Sequence, residues 1–158
     1  MPVTSPYPDD LTRIQDTGVI IEQWIQNNWT CSIPSTSIAF GVPANLLLQS
    51  GKGISLRCYT FFSGRKPITV GGGRWRFEDH INIDVYVMDN NSDMKNRNSN
   101  AIIIQKYLEA QILQNQGNSF KGIYMMDLRG SHITQDLTVS NVTKIVVWVA
   151  ITYIADVT

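Results

Sequence analysis

The sequence predicts an α+β domain, a mixed, mainly antiparallel sheet with two helices packed on one face. Three observations carry that expectation. In HINIDVYVMD, Ile81, Ile83, Val85 and Val87 alternate with Asn82, Asp84, Tyr86 and Met88, the period of a strand with one face on a core. Apolar residues recur at helical spacing in two separate stretches, one before the first strand-like segments and one between them and the last two. The last regular segment, 144–154, is apolar on both faces, as in a strand covered from two sides, between layers or against another subunit.

The elements follow in order. Pro2, Pro6 and Pro8 favour an extended arm over residues 1–9, because proline fixes its own φ and restricts its predecessor. Asp9 and Asp10 can cap a helix over 11–29, continuous or broken near Asp16-Thr17-Gly18, where Ile14, Gly18, Ile21 and Ile25 share one face and Trp24 flanks it. Asn27 and Asn28 end it, and SIAF at 37–40 reads as a short strand closed by Gly41 and Pro43. Residues 44–50, with Leu46, Leu47 and Leu48, fit a helical turn or a sheet edge equally. A strand follows over 54–62, with Ile54, Leu56, Cys58, Thr60 and Phe62 on its apolar face. Ser63-Gly64-Arg65-Lys66-Pro67 is turn chemistry and predicts an exposed basic loop tip. Gly71, Gly72 and Gly73 form a hinge or bulge leading into the central strand. A polar loop over 89–100 precedes the second helix, 101–115, where Ile104, Leu108 and Ile112 recur every four residues and Ala101, Ile102, Tyr107 and Leu113 widen the stripe. A strand over 122–129 is then broken by Gly130, with a continuation over 135–139, before the closing strand.

Composition narrows the function classes. At 158 residues the chain fits a single domain over 1–158, large enough to bury a core without disulfides or metal. The formal net charge is zero and 16% of residues are charged, against roughly 25% in a typical soluble domain. A neutral chain has no global field to attract nucleic acid or an acidic membrane. Its surface must be neutral polar or covered by partners, a mild pointer to assembly. Cys31 and Cys58 lack metal or redox spacing and read as small buried thiols. The opening MPVTSPYPDD has no basic region followed by an apolar one, and the run 145–154 falls short of the ~20 residues that span a bilayer. Both features predict a protein made and kept in a cytoplasm, with no membrane partner.

Chemistry-bearing motifs are sparse. Asp89, Asn91 and Asp93 match the first liganding positions of an EF-hand loop, but Met94 stands where the turn needs glycine and Asn100 where the bidentate glutamate belongs. The glycine run leads into a strand and has neither phosphate-loop spacing. His80 and His132 are the only imidazoles; Glu78 and Asp79 beside His80 supply a general base only on an enzyme or small-ligand reading. No catalytic, cofactor or metal-ligating residue is expected. Arg65, Lys66, Arg74 and Arg76 with Trp75 form the most basic patch. Arginine neutralises phosphate and aromatics stack on bases, so the patch suits nucleic acid; at a hairpin end such residues are more often solvated or in a subunit interface.

The opening helix IIEQWIQNNW, the strand pair ISLRCYTFF and HINIDVYVMD, the helix NAIIIQKYLEAQI after a polar loop, and the closing strand VTKIVVWVAITYIAD occur in that order. This arrangement resembles the tail-terminator (tail-completion) proteins of long-tailed bacteriophages and the related head-tail neck proteins. The resemblance covers most of the chain and rests on element order, since the family has no catalytic motif; the glycine-rich segment between Phe62 and Trp75 has no aligned counterpart. It implies a structural virion protein assembled in the host cytoplasm, not an enzyme and without cofactor. The expected form is a homohexameric ring that caps the tail tube, stops its polymerisation and joins the tail to the head connector, with DNA passing through the lumen. Its partners would be copies of itself, the tail-tube protein and the head-tail connector protein. On this reading Phe61, Phe62, Trp75, Trp148, Asn91 and Met94 contact subunits or partners, and Arg65, Lys66, Arg74 and Arg76 face the lumen, a partner ring or DNA. The alternatives are another connector or tube-like ring protein, or a small-ligand or nucleic-acid-binding module.

Overall fold

The computed structural model describes residues 17–41, 53–67, 74–88, 94–115, 125–135 and 142–156. The elements are α1 (Thr17–Asn27), a 3-10 turn (Ser35–Ser37), β1 (Ile38–Phe40), β2 (Ile54–Pro67), β3 (Arg74–Met88), α2 (Met94–Asn115), β4 (Met125–Gln135) and β5 (Val142–Asp156). The five strands form one sheet in the order β1-β2-β3-β5-β4. β1 runs parallel to β2 and every other neighbouring pair is antiparallel, so the fold is α+β. The predicted N-terminal arm, Ile14, the segment 44–50, the glycine run and Asn91 lie outside the described residues.

Alternation in β3 decides the layering. Ile81, Ile83 and Val85 are fully buried, and register places Leu56 of β2 and Ile145, Val147 and Val149 of β5 beside them on the same face. Both helices cover that face. α1 contributes Ile20, Ile21, Trp24 and Ile25, and α2 contributes Ala101, Ile104, Leu108 and Ile112, to one continuous core. Each large aliphatic side chain so buried contributes roughly 1.5–3 kcal/mol. The segment after α1 is tied to α2 by Trp29, whose indole N–H donates to Ile33 O at 2.7 Å. Its ring meets Tyr107 edge-on at 4.6 Å. The Tyr107 hydroxyl accepts from the Thr30 N–H and donates to Asn28 O.

α1 also finishes the edge of β2. β1 ends at Phe40, so beyond its reach the Cys58 N–H donates to Glu22 Oε1 at 3.0 Å. The Gly18 N–H donates to Thr60 Oγ1 at 3.1 Å. Burial raises the Glu22 carboxyl above the usual carboxylate range, with the Cys58 N–H and the Arg57 charge opposing. Because the folded state holds this proton more tightly than the unfolded chain, the carboxyl's contribution to stability is greatest at low pH and falls as pH rises through the carboxylate range. Glu22→Gln, which keeps the acceptor and cannot ionise, is expected to flatten that part of the pH–stability profile. Glu22→Ala leaves the Cys58 N–H unpaired and is expected to lose about 1–3 kcal/mol. Denaturant unfolding of both variants between pH 3.5 and 7 measures the difference.

Three sequence expectations are corrected. Residues 63–67 are not a loop tip: β2 runs through them, paired from Ser63↔Asp79 to Pro67↔Trp75. The β3 ladder overrides local turn chemistry, and Pro67 falls at the strand's end, where a missing N–H costs little. α2 begins at Met94, not at 101. Its polar first residues bond to the sheet end: Arg97 is 4% exposed, its Nε and Nη2 donate to Thr143 and Gln135, and Asn98 accepts from both of those residues. β4 passes through Gly130 without breaking, absorbing one extra residue as a bulge between Leu128 and Gly130.

Cys58 is buried and Cys31 half-buried, and neither is in a disulfide. Burial pushes the Cys58 thiol well up, as expected of an inert core cysteine. Among the described residues no helix is long and apolar enough to cross a membrane.

Candidate functional site

The helices leave the other face of the sheet uncovered by any described element, and the largest apolar groups the core does not absorb collect there. A bulge between Thr60 and Phe62 makes this possible: Thr60 pairs with Ile81 on the core face, and Phe62 pairs with His80 on the open one. The expectation that Phe62 shares a face with Ile54 and Leu56 is thereby overturned. Phe61 and Phe62 are 47% and 55% exposed, and Trp148 is 39% exposed. The closing strand β5 is buried along its core face, while on its other face Trp148 stands exposed between the buried Val142 and Ala150, with no second layer within the described chain covering it.

His80 sits at the centre of this group. Its ring centroid lies 5.9 Å from that of Phe61, 5.2 Å from that of Phe62 and 5.6 Å from that of Trp148. Trp148 Nε1 donates to His80 Nδ1 at 3.0 Å. An indole nitrogen can only donate, so Nδ1 is unprotonated and the imidazole proton belongs on Nε2, which faces Glu78 Oε1 at 3.2 Å. Glu78 also accepts from Arg129, whose Nε reaches Asp127 at 3.1 Å. The chain Trp148–His80–Glu78–Arg129–Asp127 links β5, β3 and β4 across the open face.

The neighbouring half of the face is polar. Asn82 donates to the Tyr59 hydroxyl at 3.2 Å. Asp84 is 7% exposed although it lies on this side. Burial raises its carboxyl, partly offset by Lys144 3.9 Å away and by the Tyr59 hydroxyl. Lys144 in turn lies over the Tyr86 ring at 5.4 Å. An aromatic centre with a partly satisfied polar border has the anatomy of a protein contact surface.

The structure divides the residues singled out from sequence. Phe61, Phe62 and Trp148 come together on the open face. Trp75 does not: it is half-buried against the core on the helix side. The basic patch is split by strand alternation. Arg65 lies over the Phe77 ring on the helix side, whereas Lys66 and Arg76 pair across the ladder as exposed residues of the open face. Arg74 is the first residue of β3 and pairs with Asp156. Met94 is the first residue of α2.

The acid–base reading of Asp79 beside His80 has no geometric basis, because adjacent strand residues point to opposite faces. Asp79 is buried on the helix side, accepting from Thr17 Oγ1 and Ser63 Oγ. His132 is exposed on edge strand β4. Among the described residues no group of three His, Cys, Asp or Glu side chains could hold a metal. A crevice between α1 and α2, lined by Trp24, Ile25, Asn28, Tyr107, Leu108 and Gln111, has about 10 Å³, room for one water and no metabolite. Of the two carboxylates that the sequence set beside His80, Glu78 is the one that meets its ring, as their two-residue spacing on one strand face requires. No protein-family model matches the chain, and no curated protein matches it.

Proposed function

We propose that this chain is a ring-forming structural protein of a long-tailed phage neck, a tail terminator that caps the tail tube, stops its growth and joins it to the head connector. The observation that carries the reading is the open sheet face, with Phe61, Phe62 and Trp148 gathered on it and no described element of the same chain to cover them. Exposed aromatics grouped around bonded polar residues mark a surface that a partner desolvates. The resemblance in element order supports a second copy of the chain as that partner, in a head-to-tail contact that closes into a ring. The function is then mechanical, and no residue is assigned a catalytic role. Lys66 and Arg76 on the same face are the cations best placed to meet DNA or a partner ring.

A nucleic-acid-binding module is the second reading, favoured by the same aromatics, since bases stack on such side chains. Glu78, Asp84 and Asp127 on this face oppose it. Light scattering of the full chain separates the two. The ring reading expects a mass six times that of the chain and annular particles by negative stain, which bind the end of isolated tail tubes. A strict monomer at high concentration sinks it. Salt-sensitive binding of single strands by that monomer supports the second reading.

A further inference from the structure

The open face carries a regulatory device, and the argument for it rests on the subunit-contact reading just given. We propose that His80 is a proton-operated latch on this contact. Neutral, it holds Trp148 in the position a neighbouring subunit meets; protonated, it releases Trp148 and brings a positive charge into the contact.

The latch follows from donor and acceptor counting. A neutral imidazole has one acceptor nitrogen, and here that nitrogen is Nδ1, occupied by the Trp148 N–H at 3.0 Å. Adding a proton from solvent to Nδ1 converts it to a donor. Two N–H groups then face each other, and the bond between β3 and β5 is lost. The other side of the ring keeps its partner: Nε2 donates to Glu78 in both states, and more strongly once the ring is charged. The proton's effect therefore falls on Trp148. Imidazole is the side chain whose charge ordinarily changes between pH 5 and 8.

The charged and titratable surroundings do not cancel the change. On β3 the facing group is Glu78, already shared with Arg129 of β4 at 3.2 Å, with Asp127 beyond it. β5 presents Trp148 and the uncharged Ala150, which pairs with His80. β2 presents Phe61 and Phe62, with Tyr59 and Lys66 further along the strand. A partner that covers Phe61, Phe62 and Trp148 removes water from the exposed side of His80. An imidazolium loses more from that desolvation than a neutral ring does.

The test compares the full-length wild type with His80→Gln and Trp148→Phe. A glutamine amide offers an acceptor oxygen toward Trp148 and N–H donors toward Glu78, and never becomes charged. Sedimentation at pH 8 and pH 5.5 is expected to show wild-type association weakening at least tenfold at the lower pH, and His80→Gln associating equally at both. Tryptophan emission of dilute protein should fall with a pH step in the wild type, because an imidazolium quenches an adjacent indole, and the step should be absent from both variants. A pH-dependent loss of association in His80→Gln, a pH-independent wild-type assembly, or a wild type without the emission step overturns the latch alone. A wild type that is monomeric at both pH values overturns the subunit contact and the latch with it.

Discussion

Gly18→Ala is expected to lower the unfolding free energy by about 3 kcal/mol, the upper range for overpacking a tight site. A Cβ built at Gly18 lies 2.6 Å from Tyr59 Cα and 3.0 Å from Thr60 N and Tyr59 C. All three are backbone atoms of β2, so no side-chain rotation relieves the overlap, and α1 must lift from the sheet. Lifting it stretches the Gly18 N–H bond to Thr60 and the buried bond from Thr17 to Asp79. Alanine's better helix propensity, worth about 1 kcal/mol, acts in the other direction and loses. Gly130→Ala is the control: its Cβ would meet nothing within 4 Å, and the change should stay within about 0.5 kcal/mol. Chemical denaturation with an unchanged m-value measures both. A Gly18→Ala protein as stable as the wild type would mean that α1 does not cross β2 at Gly18.

The same contact shows what a sequence can and cannot reveal. Helical spacing put Gly18 on the face with Ile21 and Ile25, and alternation put Ile81, Ile83, Val85 and Val87 on the core, because a residue's own neighbours carry those periods. Bulges have no such period. Phe61-Phe62 is apolar at both positions, so nothing local says where the alternation of β2 slips, and only pairing with β3 puts both phenylalanines on the open face. Gly64 and Pro67 read as a turn because turn chemistry is local, whereas the ladder that straightens them comes from residues 75–79. The start of α2 was hidden likewise: Arg97 and Asn98 look like loop residues until Gln135 and Thr143 are beside them. For the site, the family resemblance singled out Trp148 and the phenylalanines, but treating Arg65, Lys66 and Arg76 as one patch ignored strand parity. His80 became visible as the centre only once register set it beside Trp148 and Phe62.

On the proposed ring reading, Trp148→Asp is expected to leave a folded chain that does not assemble. Trp148 projects from the middle of β5 at 39% exposure and contributes no atom to the core cluster. Its loss removes one side-chain bond, to His80, worth about 1 kcal/mol. The fold therefore survives, with far-UV circular dichroism unchanged and a melting point only a few degrees lower. The contact should not survive. A tryptophan at the centre of an interface is worth about 2–4 kcal/mol on truncation, a roughly 30- to 1,000-fold loss of affinity. The new carboxylate must also be desolvated on a face that already holds Glu78, Asp84 and Asp127. Ile102 distinguishes this from a general effect of removing surface apolar groups, because it is 42% exposed on α2, on the side of the molecule away from the open face. Ile102→Asp should assemble as the wild type does. If both aspartate variants remain hexameric, the subunits meet elsewhere; if both dissociate, the contact wraps the helices and the open face has no special part in it. Dissociation of Trp148→Asp alone assigns the ring contact to the aromatic face of the sheet.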